Sequence, residues 1–142
     1  MSQSGAPRTV PTLQELSSLA CRLGTGVTLQ EKEGRIQVLV ETGGGRHQIL
    51  SLAMENVDGQ MIGRMRTRVC PASKLTGQRP LMALKLNLSM KTGAFAVDGE
   101  DLIIKHSFMP AHTSPQELLN SLLYVARTAD QHEKSLTGTD QS

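Results

Sequence analysis

The sequence predicts an α+β domain, a mainly antiparallel sheet with helices packed on it, its elements in the order α-β-β-β-β-α-β-β-α. Three observations carry this prediction. The hydrophobic period switches between helical spacing and strict alternation along the chain, and that switch separates helices from half-buried strands. The alternating segments are joined by short turns rich in Gly, Asp and Asn, the connections that antiparallel neighbours need. No sustained β-α-β alternation or internal repeat is present, so a parallel, doubly wound sheet is not indicated.

Residues 1–11, MSQSGAPRTVP, have no apolar period and read as a flexible lead-in. Thr12 and Glu15 form a capping box, in which each side chain satisfies a backbone N–H of the other's end of the first turn. Leu13, Leu16, Leu19, Ala20 and Leu23 then recur at helical spacing, and Gly24 is placed to end the helix. The period changes to two at Val27 and Leu29; Glu33-Gly34 makes a turn, and Ile36, Val38 and Val40 alternate with polar residues. Gly43-Gly44-Gly45 is the next turn. A strand from about Arg46 to Met54 follows, then a turn over 56–59 and a strand from about Gln60 to Cys70. Pro71 closes it because proline lacks the N–H a ladder needs.

Helical spacing returns at Arg79, with Pro80 in the first turn, Leu81, Leu84 and Leu88 on one stripe, and Met82 and Leu86 beside it. Thr92-Gly93 ends this helix. Two strands, Ala94 to Val97 and Leu102 to Met109, flank an Asp98-Gly99 turn. Ser114-Pro115-Gln116-Glu117 is a second capping box and starts a helix whose stripe is Leu118, Leu122, Val125 and Ala129, widened by Leu119 and Ala126. The pattern fades after Glu133. The folded unit is therefore placed at 12–134 as a single domain, with 135–142 as a disordered tail.

A chain of 142 residues is large enough to bury a core without disulfides or a metal. Aromatics make up 2% of it and seven Met help fill the core. Cys21 and Cys70 stand far apart and outside any CxxC pattern, and they read as reduced thiols. No secretory leader and no membrane-length apolar run is visible, so a cytoplasmic protein without a membrane partner is expected. The net charge of +2 conceals an asymmetry. Between Gly59 and Val97 lie seven bases and no acid; from Asp98 onward lie seven acids against three bases. Opposite fields within one domain favour internal complementarity or head-to-tail association.

Catalytic and metal frames are missing. His47, His106, His112 and His132 stand singly, without zinc-site spacing, and His106, alternating with Ile104 and Phe108, reads as a histidine at the core edge. The Gly43–Gly45 run is a turn and not a phosphate loop, because no Lys-Ser/Thr follows it. Cys70, at a strand end before Pro71, reads as inert. Asp98, Glu100 and Asp101 lack calcium-loop spacing and read as solvated. No enzyme, cofactor or metal is expected. One surface feature remains: Arg64, Arg66 and Arg68 point to one side of a strand while Met61, Met65 and Val69 point to the other. Such a row offers bidentate bonds to carboxylates or phosphates of a partner. Nucleic acid is not the expected partner, because the basic segment contains only Phe95 for stacking.

Residues 80–133 carry a resemblance. The stretch LMALKLNLSMKTGAFAVDGEDLIIKHSFMP, followed by a capped helix ending near ARTAD, resembles the YbjN-type family and its wider relatives of the type III secretion chaperone (Tir chaperone) fold. In that family a helix ends in a Leu-Asn pair, here Leu86-Asn87. A Gly opens a hairpin, here Gly93, and the last helix carries an Ala-Asp, here Ala129-Asp130. The resemblance implies a helix-sheet-helix sandwich, a homodimer, and a chaperone- or adaptor-like protein that holds a segment of a client. Asn87 reads as a structural pin bonded to backbone. Arg64, Arg66 and Arg68 are the candidate partner-binding residues, and a binder of an acidic ligand or nucleic acid through that row is the alternative reading.

Overall fold

The computed structural model describes residues 11–137, and the element order is the predicted one. Helix α1 (Leu13–Leu23) is followed by strands β1 (Val27–Lys32), β2 (Arg35–Gly43), β3 (Arg46–Val57) and β4 (Gln60–Pro71). Helix α2 (Arg79–Leu86), strands β5 (Ala94–Asp98) and β6 (Asp101–Phe108), and helix α3 (Pro115–Thr137) complete the chain. All six strands form one sheet in the order β1-β2-β3-β4-β6-β5, every neighbouring pair antiparallel. The connection through α2 carries the chain to the outer position, and β6 returns between β5 and β4.

Turn chemistry sets this register. Both central residues of Glu33-Gly34, Gly44-Gly45 and Asp58-Gly59 have positive φ, as two-residue type I′ hairpins require. With Asp58, a residue type that tolerates the left-handed region, at φ 52° and Gly59 at 82°, the ladder continues to Val57↔Gln60. β3 therefore runs three residues beyond the Met54 limit read from the sequence. Both capping boxes form: Thr12 Oγ1 accepts from Glu15 N–H at 3.0 Å, and Ser114 Oγ from Glu117 N–H at 3.0 Å.

One sheet face builds the core. Val38, Val40, Leu50, Leu52, Met65 and Ile104 pack there against Leu16 and Ala20 of α1 and against Leu118, Leu122 and Val125 of α3. Two helix boundaries differ from expectation. Helix α2 stops at Leu86 and gives way to a 3-10 turn over Asn87–Ser89, where the Asn87 side chain is bonded to β5. Helix α3 continues to Thr137 with Leu136 fully buried, so the predicted boundary at 134 falls short. Residues 1–10 and 138–142, which hold most of the predicted lead-in and tail, lie outside the described residues.

Candidate functional site

Strand alternation leaves the second sheet face to side chains of β2, β3, β4, β5 and β6. Arg64, Arg66 and Arg68 stand on it, while Met65 and Val69 are buried on the core side and Met61 is half exposed. The structure brings each arginine to a carboxylate. Arg64 Nε lies 2.7 Å from Glu55 Oε1, Arg66 pairs with Asp98, and Arg68 Nε lies 2.8 Å from Asp101 Oδ1. Arg64 also donates to Ser107 Oγ. The bond to Asp101 holds the Arg68 guanidinium above its usual range. The opposite charges of the two sequence segments thus meet inside the domain, and Asp98 and Asp101, read as solvated from the sequence, are partners of the arginine row.

Ile103 is the residue that the row conceals. It is paired in register with Arg68 on β4 and Ala96 on β5, which places it on the face away from the core, and it does not belong to the core cluster. Yet it is only 2% exposed. The register explains why: Arg66 is opposite Lys105, and Asp98 is opposite Asp101, so the Arg66–Asp98 pair spans the lattice diagonal that crosses Ile103. Beside this bridge lies a cavity of about 520 Å³ whose floor includes Ile103, Ala53 and Ala96 and whose walls carry Glu55, Arg64 and Lys105. Alternation with Leu102, Ile104, His106 and Phe108 puts Ile103 on the other face of its strand, but nothing in the sequence marks it as buried there.

A second surface lies on α2. Leu81 and Leu84 of α2 and Leu88 of the 3-10 turn after it are turned to solvent, with Leu84 64% and Leu88 94% exposed, and Met82 and Val97 are exposed as well. Within α2 the buried residue is Ala83. Between α2 and β5 lies an apolar pocket of about 180 Å³ lined by Leu75, Pro80, Ala83, Leu84, Phe95 and Leu102. The helical period was legible, but a period alone does not tell which face has a partner within the chain.

The remaining candidates are not assembled into a site. His106 is stacked on Phe108 at 6.1 Å and His132 stands edge-on to Phe95 at 5.9 Å; burial lowers the pKa of both. Cys21 and Cys70 are free and buried, and burial pushes both thiols up. For Cys70 burial, with Glu133, outweighs the opposing influence of Arg68, which disfavours the thiolate. Among the described residues no three His, Cys, Asp or Glu are grouped to hold a metal ion, and no helix is long and apolar enough to cross a membrane. Gly44-Gly45 is a hairpin loop between β2 and β3. No known family model matches the chain, and no curated protein sequence matches it.

Proposed function

We propose that this chain is a non-enzymatic, cytoplasmic protein-binding module, YbjN-like and secretion-chaperone-like, that works as a homodimer and holds a segment of a client protein. The observation that carries the proposal is the outward apolar face of α2. Leu81, Met82 and Leu84 of α2 and Leu88 of the 3-10 turn that follows it are exposed, with Val97 of β5 exposed as well. A helix of two turns gains little stability by itself, and apolar area left in water forgoes about 25 cal/mol per Å². Contiguous exposure of this kind marks an interaction surface. The free edge of β5 is a poor alternative, because Asn87 occupies the backbone groups of Phe95 that a further strand would need. Copies therefore meet helix to helix, by a two-fold contact in which the same patch serves both partners.

Light scattering across a range of concentrations tests this. The unaltered chain is expected at twice its monomer mass, and the double variant Leu84→Lys, Leu88→Lys at the monomer mass with an unchanged melting profile, since both side chains are exposed. A strict monomer at high concentration overturns the homodimer.

A further inference from the structure

We propose that the open sheet face holds a docking site for a client segment in which a carboxylate side chain and an aliphatic side chain are neighbours. The incoming carboxylate takes the place of Asp98 on Arg66, and the aliphatic side chain then rests on the uncovered Ile103. The inference builds on the reading of the chain as a protein-binding module, and concerns the open sheet face, which adjoins the α2 patch at Ala96 and Val97.

Three features converge on it. First, Ile103 is buried on the sheet face away from the core cluster, where the register sets it under the diagonal of the Arg66–Asp98 pair. Both partners of that pair are partly in water, with side chains 44% and 52% exposed, and exposed pairs contribute little to stability. Such a cover exchanges at little cost. Second, Arg66 and Lys105 are directly opposite in register, and like charges in that position repel. Among the described residues Lys105 has no ion-pair partner, so an anion seated between the two relieves the repulsion where Asp98, reaching in from the diagonal, serves Arg66 alone.

Third, the cavity is lined by three bases, Arg64, Arg66 and Lys105, against two acids, Glu55 and Asp98, an excess of one positive charge over an apolar floor. That composition suits a single carboxylate carried beside an aliphatic group. A nucleic acid is disfavoured: its repeated phosphates would meet Glu55, Asp98 and Asp101, and Phe95 and Phe108 are buried in the core, leaving no ring there for base stacking.

The test is NMR titration of the isotope-labelled full chain with two capped peptides, one alternating Leu and Glu, the other Leu and Lys, and with an oligothymidylate. The Leu/Glu peptide is expected to shift the amides of Ala53, Arg66, Ile103 and Lys105. Lys105→Ser should weaken it. Asp98→Asn should tighten it by about two- to fivefold, the worth of the exposed pair it no longer has to break. Absence of shifts at millimolar Leu/Glu peptide, equal binding of Leu/Lys peptide, unchanged or weaker binding by Asp98→Asn, or oligothymidylate displacing the peptide from these residues each overturns the proposal. The Leu84→Lys, Leu88→Lys variant is expected to bind the peptide undiminished, so loss of the dimer and loss of this site are read separately.

Discussion

The side-chain amide of Asn87 holds both backbone polar groups of Phe95: its Oδ1 accepts from Phe95 N–H at 2.6 Å, and its Nδ2 donates to Phe95 C=O at 3.3 Å. Phe95 is two residues inside the register from Val97↔Leu102, opposite Ile104, a position whose N–H and C=O face the free edge in an antiparallel ladder. One amide therefore stands in for a missing strand. Removing it by Asn87→Ala leaves two half-buried backbone groups unpaired, at a cost of about 1–3 kcal/mol. Urea denaturation should show that loss, and amide exchange should quicken first at Phe95. Asn87→Asp, which keeps only the acceptor, should lie between the two.

Gly63 lies opposite Phe108 across β4 and β6. A Cβ at Gly63 would stand 2.7 Å from two carbons of the Phe108 ring, closer than any packed pair, and the ring is buried against the core. Gly63→Ala is expected to destabilise the fold by about 1–3 kcal/mol through overpacking. In a Phe108→Leu background the same substitution should cost less, and the difference, measured as a double-mutant cycle, reports the contact directly.

Much of this architecture was legible because it rests on local chemistry. Thr12, Glu15, Ser114 and Glu117 cap the helices they were expected to cap, and the glycines at 34, 45, 59 and 99 set the hairpins. What local chemistry omits is the partner of each face. Leu84 and Leu88 obey the same period as Leu118 and Leu122, yet the first pair faces water and the second the sheet, because β5 and α3 cover only the Ala83 side of α2. The arginine row was placed on the correct side by alternation. Its carboxylates were not foreseen, since Glu55, Asp98 and Asp101 reach it only once β3, β5 and β6 have been arranged around β4.

Stability should fall as the solution is acidified below neutrality. His106 and His132 both have folded-state pKa values lowered by burial from the ordinary 6.5. The unfolded chain then binds protons that the folded chain refuses, so stability is fully present above 6.5 and is lost progressively as pH falls toward the depressed folded values. Urea midpoints measured at about pH 7.5 and about pH 5.5, the latter above the range where carboxylates titrate, should differ in that direction. The variant His106→Gln, His132→Gln should flatten the slope; an unchanged slope would assign it to other groups.

The folded unit extends at least to Leu136. The buried side of α3 runs Leu118, Leu122, Val125, Ala129, then His132, whose ring meets Phe95, and then Leu136, which has no exposed surface. The spacing never breaks. A polar residue in one position of the stripe conceals its last turn from a hydrophobic count, although the imidazole packs there with its pKa lowered by burial. Leu136→Ala is expected to cost about 2–5 kcal/mol, the range for emptying a buried leucine site. A chain ended at Lys134 should lose at least as much, because it removes the same side chain and the final helical turn together. Thermal unfolding of both, followed by circular dichroism, checks this; a chain ended at Lys134 that melts unchanged would return the boundary to 134.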